Sequence, residues 1–276
     1  MHENKNPDRL KEFKHVYLHP HGIGDLILSM PYIRFSMQNI GDLALCVRDE
    51  LYNSGFFRNF EFKNRVFEGC PRIWNSTQTI KNIKRLRLFA DNVSNNKTMS
   101  FYYLFNKQEN RRLQICKWLG YKLGLDIPFD DKISGELYLS QNDIKEASKN
   151  AGQNTCFIHT RGASALKSAI PKKLMKDIQP EAAVFFTPPH TDNINMNFAR
   201  QKESSKIAIV DSLYLHSAGA LGKDIDLLFV SATVKPFFHT LIPKNIKIKK
   251  IIYGSLYDSM KALFYYSFMK KLALTG

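Results

Sequence analysis

The 276 residues and 44% hydrophobic content suffice for two modest domains with ordinary cores, which excludes both a disulfide-stapled miniature and a disordered chain. Forty Lys and Arg against 25 Asp and Glu give a formal net charge of +15, pointing to an anionic partner: nucleic acid, phosphorylated substrate or acidic lipid. Cys46, Cys70, Cys116 and Cys156 form no C-x-x-C pair, which argues against a zinc site or disulfide framework and fits reduced thiols in the cytoplasm.

The first residues lack the apolar core of a signal peptide, and no apolar run approaches the roughly 20 residues of a membrane span, so membrane association is expected to be peripheral. His15 to His19 reads as a short buried strand. A glycine-containing turn follows at His21-Gly22-Ile23-Gly24, and Asp25 stands as N-cap of an apolar helix from Leu26 to Gln38, with Pro31 in its first turns. Strand, tight turn and helix N-terminus together bring backbone N–H groups and a positive dipole end to the carboxyl edge of a sheet. Asp42 to Arg48 is the next strand, so the opening is a parallel crossover unit and the architecture is α/β.

From Leu51 to Met99 the periodicity weakens. Lys81, Lys84, Arg85 and Arg87, with Ile80, Ile83, Leu86 and Leu88 between them, make a basic amphipathic helix, read either as a solvated face or as a surface for an acidic ligand or lipid. Asn110 to Leu125 is helical, with Gly124 as its C-cap; Glu136 to Leu139 is a short strand and Asp143 to Ala151 a polar helix. The polar run there places a domain boundary: residues 1–150 form the first domain, 151–254 the second, and 255–276 a closing helix that is free to pack back on the first.

The second half restarts the alternation. Cys156–His159, Ala182–Phe186, Lys206–Val210 and Asp226–Val230 are strands, and Pro171–Ile178, Ile194–Lys202 and Leu213–Leu221 are helices. Lys244–Tyr253 alternates basic and apolar residues as an edge strand does, and Ser255–Leu274 is the terminal helix. Three loops stand at strand ends, His19–Asp25, Thr160–Lys167 and Asp211–His216, as expected of two doubly wound domains facing a central cleft. Gly22-Ile23-Gly24 is neither a Walker A loop nor G-x-G-x-x-G, since Ile27 occupies the third glycine position. His19, His21 and His159 lack regularly spaced carboxylate partners, so no metal site is expected.

Taken in order, the three loops resemble glycosyltransferase family 9, the heptosyltransferases. Gly22-Ile-Gly-Asp25 with Pro31 six residues on is similar to that family's Gly-Asp-x-x-x-x-x-Pro signature. His159-Thr-Arg-Gly-Ala-Ser-Ala-Leu-Lys167 resembles its His-Pro-Gly-Ala/Ser loop followed by lysine. Asp211-Ser-Leu-Tyr-Leu-His-Ser-Ala-Gly-Ala-Leu-Gly222 resembles its Asp-Thr/Ser-Gly-x-x-His-x-Ala-x-Ala-Leu-Gly.

The resemblance implies the GT-B fold, two Rossmann-like domains, and an inverting glycosyltransferase that moves heptose from ADP-heptose to an anionic glycan or glycolipid such as the lipopolysaccharide core. It implies a nucleotide-sugar donor with no metal or cofactor, no nucleic-acid partner, and a place in the cytoplasm or peripherally on the cytoplasmic face of the inner membrane. Asp25 would be the general base, with His21, Gly22 and Gly24 on the acceptor side. Thr160, Arg161 and Lys167 would meet the donor diphosphate, and Asp211, Ser212 and His216 would line the phosphate and sugar pocket at a helix N-terminus. From the local sequence Asp25 reads equally as a cap, and the two roles are compatible. Leu213 replaces a glycine of the pattern, and the segment from Phe186 to Asp211 is shorter than usual by about one helix–strand unit. These departures motivate a rival reading, a catalytically degenerate GT-B protein that binds a partner.

Overall fold

The computed structural model describes residues 7–72, 79–93, 97–100, 110–149, 155–161, 168–169, 184–186, 193–232 and 242–275. Contacts divide the chain into two units, Met1–Asp130 with Asp192–Ile194, and Asp131–Thr191 with Asn195–Gly276.

The first unit runs β1 (His15–His19), α1 (Ile23–Asn39), β2 (Leu43–Val47), α2 (Asp49–Asn53), β3 (Val66–Phe67), α3 (Thr79–Val93), β4 (Lys97–Ser100) and α4 (Arg111–Leu123). Its four strands are parallel in the order β3-β2-β1-β4. A parallel sheet covered by helices buries both faces of its central strands, and accordingly every residue of β2 and all but the first of β1 are buried. Val16, Leu18, Ala44, Cys46, Phe67 and Leu86 form one side of this core, Leu86 coming from the basic helix α3.

Asp25 is not the N-cap of α1. The cap is Gly22, whose extended backbone offers its carbonyl to the Leu26 N–H at 3.0 Å, and Asp25 is the third helical residue. A carboxylate in the first turn still meets the positive end of the dipole, now from inside the helix. Pro31 is buried within α1, where the carbonyl of Ile27 loses its usual i+4 donor. Helix α4 begins at the Asn110 cap, which accepts from the Arg112 N–H at 2.9 Å, and ends at Gly124 with φ 67°, as the sequence indicates.

The second unit contains α5 (Gln141–Lys149), β5 (Cys156–His159), β6 (Val184–Phe186), α6 (Ile194–Glu203), β7 (Lys206–Val210), α7 (Leu213–Leu221), β8 (Ile225–Val230), β9 (Ile248–Tyr253) and α8 (Leu256–Thr275). All five strands are parallel, in the order β6-β5-β7-β8-β9, so β9 is indeed an edge strand. Cys156, Ile158, Ala208, Val210, Leu227 and Phe229 fill one face.

The division between the units falls after Asp130, about twenty residues before the polar run that reads as a linker in the sequence. Helix α5 is the reason. It opens with a reciprocal capping box, in which the Ser140 N–H donates to Asp143 at 3.0 Å and the Asp143 N–H donates to Ser140 at 3.0 Å, and it buries Ala147. Ser148 then donates to Glu203 of α6 at 3.0 Å. Glu136–Leu139, expected as a strand, forms no ladder among the described residues; Tyr138 instead accepts from Asn195 at 3.3 Å. The terminal helix belongs to the second unit, where Tyr266 donates to the Thr160 hydroxyl at 2.7 Å. The expected helix Pro171–Ile178 lies outside the described residues.

Candidate functional site

In an open parallel sheet, ligands bind beyond the carboxyl ends of the strands where the strand order reverses. The first sheet reverses between β1 and β4, and α1 and α4 are the helices that follow those two strands. Their N-termini meet there. Asp25, in the first turn of α1, accepts from Nη1 of Arg111, the first residue of α4, at 2.9 Å. The two side chains are 23% and 27% exposed, so the carboxylate is within reach of a ligand while held in one orientation. A guanidinium in the first turn of a helix opposes the dipole, and the facing carboxylate offsets that cost.

Behind this pair lies His19, fully buried at the end of β1, with Nε2 3.3 Å from the Gly22 carbonyl and its ring 5.6 Å from that of His21. Burial, followed by the neighbouring His21, pushes the His19 pKa down to about 3 against the pull of Asp25, so the imidazole is neutral. Arg48, just past β2, is 12% exposed. Burial lowers its pKa, and the charges it feels include Glu50, Arg72 and Asp25. The carboxyl edge of the sheet therefore presents the partly exposed Asp25 carboxylate paired with Arg111, with Arg48 and its neighbour Glu50 past the end of β2. Of the expected acceptor-side loop, His21 is buried, Gly22 caps α1 and Gly24 is inside the helix. Among the described residues, a Cβ on Gly22 would approach nothing closer than Asp25 Oδ2, at 4.0 Å.

The second sheet reverses between β5 and β7. The two loops singled out in the sequence of this half follow those two strands. His159 ends β5, 5% exposed and with its ring 4.4 Å from that of Tyr214; burial pushes its pKa down to about 4. Thr160 accepts at Oγ1 from Tyr266, and the Arg161 guanidinium lies 5.3 Å from the Tyr266 ring centre, so α8 contacts both residues. Asp211 follows β7, with its N–H donating to the Phe229 carbonyl at 2.9 Å. Ser212 is the N-cap of α7, accepting from the Tyr214 N–H at 3.3 Å, and His216 sits one turn on. Asp211 and His216 are 7% and 8% exposed, polar groups gathered at a helix N-terminus that the sheet aims at its own carboxyl edge. Lys167 lies outside the described residues.

Asp25 and the Gly22 turn lie in the first unit, and Thr160, Arg161, Asp211, Ser212 and His216 in the second. Sequence reasoning missed Arg111, Arg48 and Tyr266. Arg111 had a readable sign, because Arg111-Arg112 directly after the Asn110 cap puts two cations at the wrong end of a helix. No group of three His, Cys, Asp or Glu among the described residues is placed to hold a metal ion.

No family model matches the sequence, and no curated protein sequence matches it. Solved structures do match. A glycosyl transferase family 9 structure from Veillonella parvula superposes with a TM-score of 0.55 at 11% identity, over 96% of this chain and 92% of that one. The E. coli heptosyltransferase WaaC with ADP gives 0.56 at 11% identity, over 93% and 99%. The E. coli ADP-heptose lipopolysaccharide heptosyltransferase II gives 0.51 at 11% identity, over 92% and 99%. The chain has the GT-B fold of these heptosyltransferases, two Rossmann-like parallel-sheet units in one polypeptide.

Proposed function

We propose that this chain is an inverting glycosyltransferase that moves a sugar, heptose from ADP-heptose, to an anionic glycan or glycolipid such as the lipopolysaccharide core. The observation that carries the proposal is the Asp25 carboxylate, oriented by Arg111 and partly exposed at the strand-order reversal of the first unit. In the reaction, the acceptor hydroxyl gives its proton to Asp25 as its oxygen bonds to the anomeric carbon. The bond from that carbon to the diphosphate oxygen breaks on the opposite face, and ADP leaves with the electron pair.

The growing charge on the diphosphate is met by the N-terminus of α7 with Ser212, by Lys167, and by the Thr160 hydroxyl, which can still donate while it accepts from Tyr266. These groups do what a divalent cation does in other transferases, so we propose transfer without a metal. Asp211 and His216 line the sugar side of the pocket. Arg111, paired with Asp25, and Arg48, whose charge Asp25 feels, favour an acceptor that carries phosphate or carboxylate, with His21, Gly22 and Gly24 forming the wall beside it. The four free, buried cysteines suit a cytoplasmic setting.

One observation favours a second reading, a GT-B-fold binding protein without catalysis. Leu213 is the first residue of α7, where the family pattern has glycine. Ser212 before it is an ordinary extended cap, φ −151°, so the backbone makes no demand for glycine and only the bulk of the leucine bears on a phosphate. Titration with ADP-heptose, together with an assay of ADP release on heptose-free lipopolysaccharide core, separates the two. Binding with acceptor-dependent release is expected. Binding without release, or no binding of any nucleotide sugar, overturns the first reading and favours the second.

A further inference from the structure

The terminal helix α8 buries small residues and exposes large apolar ones. Its inward side carries Ser259 and Ala262, both fully buried, and Tyr266, which reaches the Thr160 hydroxyl and the Ala169 carbonyl. Its outward side carries Tyr257, 64% exposed, and Phe264, 69% exposed, with Leu256 and Met260 between them. At 3.6 residues per turn, positions 256, 257, 260, 261 and 264 fall on one stripe, opposite 259, 262 and 266. Small residues therefore face the protein and large apolar ones face out. A contiguous exposed apolar stripe of this kind marks an interaction surface.

Charge identifies its occupant. Lys261 is the one charged side chain of the stripe, its ammonium 4.4 Å from the Tyr257 ring centre. Asp258, the single acid of the helix, is committed to the capping box at Ser255, whose hydroxyl and N–H donate to it at 2.8 and 2.9 Å. The rest of the helix sequence adds Lys270 and Lys271 and no acid, and the preceding edge strand exposes Lys249 and Lys250. Lys249 is paired with Asp226 at 2.7 Å, but the stripe itself carries no carboxylate, and aromatic and aliphatic side chains with lysines are the composition of an in-plane interfacial helix. A second copy of the chain is a poor fit, since a two-fold contact would set Lys261 against its own image between chains of formal charge +15. Among the described residues no helix is long and apolar enough to cross a membrane, so the helix would lie along a surface.

We propose that this face of α8 seats the protein on a bilayer surface carrying anionic headgroups. The proposal goes beyond glycosyl transfer and is tested without any sugar, so the two readings fail separately. The full chain is sedimented with phosphatidylcholine vesicles, with and without phosphatidylglycerol. It should bind the anionic vesicles, bind the neutral ones weakly, and release in high salt. The double substitution Tyr257→Asp, Phe264→Asp should weaken binding by about tenfold or more, since it removes the apolar part of the contact. Lys261→Glu, which leaves that apolar stripe intact, should weaken binding to anionic vesicles by about fivefold and leave neutral vesicles unaffected. Both sites are exposed, so the thermal midpoint should hold, and if the double variant fails to fold the Lys261 variant decides alone. No binding to anionic vesicles, unchanged binding by the folded variants, or a dimer that these substitutions dissolve would overturn the proposal, the last by giving the face to a second copy.

Discussion

Asp25 and Arg111 are 86 residues apart in sequence, yet their ion pair joins the two helices that flank the reversal of the first sheet. Each end of the pair was legible by itself: an acid after a glycine turn, and a cation where the helix dipole disfavours one. Their pairing was not, because the weakly periodic stretch between them hides the strand β4 that brings α4 alongside α1. The strand-end histidines make a different point. His19 and His159 are recognisable as strand residues, but only the structure shows that burial pushes them to about 3 and about 4. A folded-state pKa below the ordinary value of roughly 6.5 means that the unfolded chain takes up protons that the native chain refuses. Stability is then fully present above about pH 6.5 and falls as the pH drops toward 4, with His159 contributing roughly 3 kcal/mol of that loss. Urea unfolding of wild type and His159→Phe between pH 7 and 4.5 should show a shallower decline in the variant, which keeps the ring against Tyr214. An equally steep decline in both would contradict the assignment.

Among the elements, those with a clean apolar pattern were readable almost to the residue. Lys206–Val210 and Leu213–Leu221 stand where the sequence puts them, and the alternating Lys244–Tyr253 segment does supply the edge strand. Helix starts were less legible for a consistent reason: Asp25 and Asp143, both read as first residues or caps, sit at the third helical position. In α5 the true cap is the serine three residues earlier, and in α1 it is a glycine with no side chain to announce it. Lys97–Ser100 has no apolar run at all and is a strand through its pairing with β1. Glu136–Leu139 has the alternation of a strand and no partner to ladder with among the described residues. Helix α7, which starts at the Ser212 cap, is fixed by a close approach at Gly219. A Cβ there would fall 2.7 Å from Pro243 and 2.9 Å from Ser134, and the Gly219 carbonyl accepts from Asn245 at 2.7 Å. Gly219→Ala should therefore destabilise the protein by about 1–3 kcal/mol despite the better helix propensity of alanine. Calorimetry should show a lower unfolding midpoint, and an unchanged or raised one would mean that the 243–245 segment gives way freely.

For the whole molecule, two parallel sheets with strand orders 3-2-1-4 and 2-1-3-4-5 realise the doubly wound halves that the alternation of elements announces. The fold was legible because buried parallel strands and covering helices each leave a distinct period in the sequence. The division between the halves was not, because polar composition cannot distinguish a linker from a short capped helix such as α5. The formal charge of +15 over the whole chain, the Asp25–Arg111 pair and the helix terminus at Ser212 are the observations on which the proposal of an anionic acceptor and a diphosphate donor rests. The central claim is that Asp25 removes the acceptor proton while the second unit holds the donor. Its most direct test is the rate of acceptor-dependent ADP release from ADP-heptose by wild type and Asp25→Asn, with donor affinity titrated in parallel. The asparagine variant should lose about 10²- to 10⁴-fold in rate while ADP-heptose affinity holds, with only a small drop in the unfolding midpoint from the lost, partly exposed Arg111 pair. Release by Asp25→Asn within about tenfold of wild type would contradict the claim.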